Sequence, residues 1–402
     1  MTTNLHDIPP LYVASQEFLQ NPYPFYETLR SIHPVYKGSL LKYHGWFITG
    51  YEEVVAVLKD TRFQSRFPLP EASKKYEQLK NIQSGMMLFK NQQDHKRLRL
   101  LVSQAFTRKT VERCRPFIQE TVNDLLKQVY DNKKMDVVSD FAFPLASLVI
   151  AKILGVPEED RYQFKEWTAA FIQTIDFTRS RKTLANGTEI TRKVLIYFKE
   201  LIEKRREEPQ DDLISRLIQE EQQGDKLSYD ELLAACILLM IAGHETTVNL
   251  ISNSILSLLQ NPEQLKKLRS QPHLIETAVE EFLRFESPAQ LIARTASENI
   301  AVGETTIQKG EQVYLLLGAA NRDSKKFMNA HMLDITRSPN PHLAFGYGVH
   351  FCLGSSLART EAQIAIQALV QNTTNLQLSS SNLHYRQLIG FRSLAELPVT
   401  FD

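Results

Sequence analysis

The sequence predicts a mainly α protein with a small β region, organised as a single domain over residues 1–402. Apolar residues recur at helical spacing through most of the chain, whereas runs with strand alternation are few and short. One helix, at 228–260, opens on the capping box Ser228-Tyr229-Asp230-Glu231 and carries the longest apolar run, 232–243. No Pro-, Gly- or Ser-rich linker divides the 402 residues, of which 43% are hydrophobic and 23% charged. That balance is ordinary for a globular chain and supplies enough apolar side chains for a large core.

Asn21-Pro22-Tyr23-Pro24 opens a helix reaching about Arg30, because proline is accommodated in a first helical turn. Trp46-Phe47-Ile48-Thr49 reads as a strand, and a helix follows Gly50 over 51–58. Residues 64–92 have weak periodicity and contain Pro68, Pro70 and Gly85, so they read as a long irregular connection, a kind usually functional or mobile. Helices are expected at 94–107, 112–130, 140–154, 160–175, 188–206 and 210–222. The long helix stops before Pro262, and another covers about 272–285. Short strands are expected near 299–302, 305–308 and 311–317, then a glycine-punctuated loop, a helix over 355–371 and a β-like tail at 397–401.

A formal net charge of +1 gives no basis for general nucleic-acid binding. Cys114, Cys236 and Cys352 are odd in number and widely spaced, which excludes a disulfide framework and a CxxC zinc site and suits a reducing cytoplasm. Residues 1–12 show neither the cationic nor the apolar region of a secretory signal, and the run 232–243 is too short to span a bilayer, so no membrane anchor is expected.

The chemistry concentrates in Phe345-Gly346-Tyr347-Gly348-Val349-His350-Phe351-Cys352-Leu353-Gly354. A thiolate just before a helix meets unpaired N–H groups and the helix dipole, both of which are expected to lower the Cys352 pKa. The glycines admit backbone angles closed to other residues and let a flat ligand approach the main chain. A buried free cysteine beside a glycine turn is the plain alternative. Thiolate ligation of a planar iron cofactor is the arrangement that favours O–O cleavage.

The pattern Phe-Gly-x-Gly-x-His-x-Cys-x-Gly resembles the haem-binding signature of the cytochrome P-450 family at every specified position. The resemblance covers essentially the whole chain and implies that family's fold and haem b, with Cys352 as axial ligand and Phe345, Gly346, His350 and Gly354 around it. Ala242-Gly243-His244-Glu245-Thr246-Thr247 is similar to the family's oxygen-binding helix motif. Mid-helix glycine costs about 1 kcal/mol relative to alanine, and a groove admitting a small ligand is one reason to keep it. Beside that groove, the acid Glu245 and the hydroxyl of Thr246 can organise proton delivery through water. Without the context of the cysteine signature, a mid-helix Thr pair is usually back-bonded or solvated. Two other readings fail: HExxH needs His at position 248, which is Val, and GxGxxG needs Gly at position 351, which is Phe.

Glu281-Phe282-Leu283-Arg284 is similar to the family's Glu-x-x-Arg pair, which with a later arginine, here Arg337, implies a buried ionic cluster holding the thiolate loop. Taken alone, the pair is an ordinary helix-surface ion pair. For the two haem propionates, the resemblance implies His95, Arg99, Arg294 and His350. The basic stretch 94–115 suggests steering of an acidic ferredoxin or flavodoxin, or else a solvated charged face. Asp323-Ser324 and Asn329-Ala330-His331-Met332-Leu333-Asp334 lack prolines, and the latter a phenylalanine, that relatives carry, which puts local stability in question rather than catalysis.

Stretches 45–53, 173–182 and 236–245 are similar to a soluble bacterial branch of the family that serves biotin synthesis. That branch oxidises a long fatty acyl chain in mid-chain, free or on acyl carrier protein, and cleaves a C–C bond towards a pimeloyl unit. The resemblance makes Phe171, Ile172, Leu239, Leu291, Ile292, Leu388 and Ile389 candidates to line a lipid tunnel. Arg179, Arg181 and Lys182 are candidates to face a carrier protein or its phosphopantetheine phosphate, or are solvated loop charges. A macrolide or polyketide hydroxylase and a non-catalytic haem sensor remain open as alternatives. A peroxide-driven hydroxylase is disfavoured by the retained Glu245 and Thr246.

Overall fold

The computed structural model describes residues 15–65, 74–223 and 226–402. At its centre lies the helix Tyr229–Gln260, started by the expected capping box, with Glu231 N–H donating to Ser228 Oγ at 3.2 Å and Ser228 N–H to Glu231 Oε2 at 3.0 Å. It packs against the helices Phe143–Leu154, Ser355–Asn372, Glu77–Gly85 and Gln163–Ile175. The largest apolar cluster is assembled from these faces. Tyr229–Gln260 and Val137–Leu154 are long and apolar enough to cross a membrane, contrary to the expectation from sequence, but 83% and 56% of their apolar windows are buried inside the protein.

Five strands form a mixed sheet in the order Val35–Leu40, Tyr43–Ile48, Gln312–Leu316, Leu291–Ala296 and Phe63–Ser65. All neighbours are antiparallel except Tyr43–Ile48 with Gln312–Leu316, where Trp46 faces Val313 in parallel register. The register Ser65↔Arg294 at one edge matters for the site below. A smaller sheet joins Lys134–Asp136, Pro398–Thr400 and Gln377–Leu378.

Most expected helices are present, with shifted ends. The connection 64–92 is not wholly irregular: it contains the helix Glu77–Gly85, whose buried Leu79 and Ile82 give it an apolar face. Gln83 of that helix donates to Thr174 Oγ1 at 2.9 Å, and a Cβ on Gly85 would stand 2.9 Å from Ala234 Cβ, so glycine permits the approach to the long helix. Pro68 and Pro70 lie outside the described residues. The helix Pro262–Ser270, read as a gap, starts on the very proline that signalled a stop, since proline at the first position loses no intrahelical bond. Arg181–Glu207 begins earlier than expected because Ser180 and Thr183 cap it reciprocally.

Candidate functional site

The loop before the helix Ser355–Asn372 is closed by Cys352 N–H to Phe345 O at 2.8 Å, Gly346 N–H to Leu343 O at 2.8 Å and Phe351 N–H to Gly348 O at 3.0 Å. Gly348 has φ +71°, and a Cβ there would meet Leu58 O at 2.7 Å, so no other residue suits the position. The Cys352 side chain is exposed, yet burial pushes its thiol pKa up, with Gly354 N–H, Arg99 and Arg359 opposing. The direction is opposite to the expected lowering: desolvation outweighs the helix terminus, and a bound metal ion would favour the thiolate.

On the long helix, Ala242 is exposed and Gly243 and Thr246 are partly exposed, while Ile241, His244, Glu245 and Thr247 are buried. With the buried Ala235 and Leu239, Ala242 and Thr246 share one face of the helix, which becomes exposed at Ala242. Thr246 Oγ1 donates to Ala242 O at 2.8 Å. A Cβ on Gly243 would stand 2.8 Å from Ile150 Cδ1, so the glycine also permits close contact with the helix Phe143–Leu154. Glu245 is buried, and its Oε1 accepts from Arg386 Nη1 at 2.6 Å, Ser393 Oγ at 3.2 Å and Asn249 Nδ2 at 3.4 Å. His244 packs edge-on against Phe143 with neither ring nitrogen bonded, and burial lowers its pKa to about 4.

His95, Arg99, Arg294 and His350 converge. The His95 and His350 rings lie 4.1 Å apart, and His350 Nε2 meets Ser65 Oγ at 3.2 Å. Burial, then Arg294, His95 and Arg99, press the His350 pKa down to about 3. Burial alone takes Arg294 down to about 10, while burial followed by Arg99 and Arg294 lowers His95. Among the described residues, no carboxylate pairs with any of the four. Two guanidiniums, Arg99 and Arg294, beside two imidazoles with no carboxylate partner call for an anion. A flat dianionic cofactor with a metal that takes the Cys352 sulfur fits both observations.

Behind the loop, Glu281 and Arg284 are both fully buried and joined by two bonds of 2.7 Å. Arg337 Nε reaches Glu281 Oε2 at 3.0 Å, and Arg284 donates to the carbonyls of Asn321, Ala330 and Met332. The meander is therefore held through its backbone, whatever prolines it lacks. A second brace was invisible in the sequence: Glu280 binds Arg359 and His342, and the Arg359 guanidinium lies 4.5 Å over the Phe345 ring.

A hollow of ≈ 130 Å³ is lined by Ser65, Leu88, Phe89, Ile175, Asp176, Phe177, Arg179, Leu291, Ile292, Ala293, Arg294, Gly390 and Phe391. Leu291, Ile292 and Arg179 thus reach it as expected. Phe171, Ile172 and Leu388 belong instead to the main core, and Ile389 packs in the aromatic cluster with Tyr26 and Phe47. Close to them in sequence, Ile175, Gly390 and Phe391 line the hollow. Arg179 is buried and stacked 5.3 Å over Tyr43, while Arg181 and Lys182 are exposed.

The Cytochrome P-450 family profile matches residues 10–377. The chain belongs to that family of haem-thiolate monooxygenases. It is 63% identical, over 97% of its length and 98% of the relative's, to the biotin biosynthesis cytochrome P-450 of Bacillus subtilis (strain 168). It is 38% identical to the polyketide biosynthesis cytochrome P-450 PksS of the same organism, over 96% of this chain and 97% of that one. The crystal structure of P450BioI in complex with hexadec-9Z-enoic acid ligated acyl carrier protein superposes with TM-score 0.93 at 63% identity, covering 96% of this chain and 100% of that one. A myxobacterial cytochrome P-450 in complex with myristic acid reaches TM-score 0.90 at 35% identity, covering 97% and 99%.

Proposed function

We propose that this chain oxidises a long fatty acyl chain in mid-chain, free or linked to acyl carrier protein, by successive hydroxylation and C–C cleavage towards a pimeloyl unit for biotin. The observation that carries the reading is the 63% identity, end to end, with a relative named for biotin biosynthesis, whose fold is solved with a carrier-linked acyl chain. An apolar hollow edged by the cation Arg179 supports it. A polyketide substrate is the second reading, favoured by the 38% identity with PksS.

In this reading haem b is held by Cys352 at its iron and by His95, Arg99, Arg294 and His350 at its propionates. When bound, it supplies the activation of O₂ that ends in oxidation of a C–H bond. The chain's own residues then do three things. Leu291, Ile292 and Phe391 take the acyl chain out of water, which places its methylenes without a directional bond. Thr246, already donating to Ala242 O and partly exposed, keeps lone pairs to accept from a proton donor. Glu245 passes protons towards it from the buried side. Exposed Lys96, Arg108, Lys109 and Arg113 steer an acidic ferredoxin or flavodoxin.

An optical titration of the ferric protein with hexadecanoic acid, its carrier-linked form and a set of macrolactones tests the substrate. Low-to-high-spin shifts with acyl chains, tightest when carrier-linked, are expected. Shifts with macrolactones alone move the function to polyketide tailoring. Cys352→His tests the ligand and is expected to abolish monooxygenase turnover.

A further inference from the structure

The C-terminal segment 385–394 touches the hollow and the buried acid at once. It folds back on itself through Arg386 N–H to Ser393 O at 2.9 Å and the bridge between Tyr385 and Leu394. At its turn, Ile389 and Gly390 N–H donate to the buried Asp176 carboxylate at 3.2 and 2.8 Å, and Gly390 and Phe391 line the hollow. On its two arms, Arg386 and Ser393 both donate to Glu245. One hairpin therefore walls the substrate space and grips the carboxylate that stands next to Thr246.

The grip is one-sided. Arg386, Ser393 and Asn249 all bond Oε1, and among the described residues Oε2 receives no hydrogen bond. Arg386 is also the only cation within ion-pair distance of Glu245 among those residues. A charge-assisted bond of 2.6 Å fixes a carboxylate far better than a neutral one does, so the rotation of the Glu245 head is set by the hairpin. We propose that Arg386 is the positioning residue for Glu245: it holds Oε1 so that Oε2 alone is left to exchange protons. Because the same hairpin lines the hollow, this ties the acid to the wall of the substrate space. The inference rests on the proposed role of Glu245 in proton delivery.

The test compares Arg386→Gln, Arg386→Lys, Glu245→Gln and the Arg386→Gln/Glu245→Gln double variant in the haem-loaded protein. Two readouts are used: product turnover, and the spectral dissociation constant for hexadecanoic acid, which needs no catalysis. Positioning predicts that Arg386→Gln lowers turnover about tenfold while the dissociation constant moves less than about twofold. Arg386→Lys recovers part of the loss, and the double variant is no slower than Glu245→Gln alone. A dissociation constant weakened about tenfold at unchanged turnover, or losses that multiply in the double variant, would place Arg386 on the substrate instead and overturn the inference. If Glu245→Gln keeps the parent turnover, the role of Glu245 falls and the inference with it. If only Arg386→Gln is silent, the inference alone falls. Ser393→Ala, which removes the 3.2 Å donor without touching a charge, gives the same reading should Arg386→Gln fail to fold.

Discussion

Glu280 and Arg359 join the helix Ile275–Phe285 to the helix that follows the thiol loop by two charge-assisted bonds of 2.6 and 2.9 Å. Burial alone would raise the Glu280 carboxyl, but His342 and Arg359 outweigh it and hold the pKa down to about 2 from 4.5. A depressed acid stabilises the fold in full above its unfolded value and loses that contribution as pH falls from about 4.5 to about 2, on the order of 3 kcal/mol in all. Denaturant unfolding of the parent and Glu280→Gln across pH should show a gap that is widest at neutral pH and closes in acid. A gap of constant size would remove the linkage.

Losing one partner of the Glu281–Arg284 pair strands a fully buried charge. Glu281→Gln is expected to cost about 3–5 kcal/mol, and Arg337→Ala less, because Arg337 sits at the margin with 12% of its side chain exposed. Unfolding midpoints, with the rate of haem loss beside them, check the order. Equal costs for the two variants would mean that the meander does not depend on the buried pair.

Arg179 lies at the edge of an apolar hollow, stacked on Tyr43. Arg179→Ala should weaken binding of hexadecanoate about tenfold and leave its methyl ester unchanged, since a guanidinium reads the anion rather than the chain. The exposed Arg181 should matter, if at all, for the carrier-linked form only. Equal weakening of acid and ester would make Arg179 a packing residue.

Gly243 and Ile150 occupy one contact between two helices. Gly243→Ala gains about 1 kcal/mol of helix propensity but forces Ile150 to move, an overpacking cost of about 1–3 kcal/mol. In an Ile150→Val background, which removes the Cδ1 atom, the same substitution should become neutral or stabilising. Strict additivity of the two changes in unfolding free energy would sever the link.

What could be read in the sequence was what is local. The capping box at Ser228, the glycine-spaced loop around Cys352 and the i,i+3 pair Glu281–Arg284 each carry their geometry within a few residues. Illegible were the partners brought from a distance: Arg386 reaches Glu245 across 141 positions and Arg359 reaches Glu280 across 79, with no motif around either arginine. Which apolar residues line the hollow was not legible, because an apolar helix face and an apolar pocket wall have the same composition. Gly243 carries a packing contact with Ile150 that nothing in the local sequence announced.

If His95, Arg99, Arg294 and His350 hold the propionates as proposed, their convergence makes the lifetime of this chain depend on supply of its prosthetic group. Folding alone brings the Arg99 and Arg294 guanidiniums together without a carboxylate partner, and binding a dianion between them stabilises the folded chain by mass action. A cell short of iron or porphyrin is therefore expected to lose the polypeptide itself to proteolysis, not to stockpile an inactive form awaiting reconstitution.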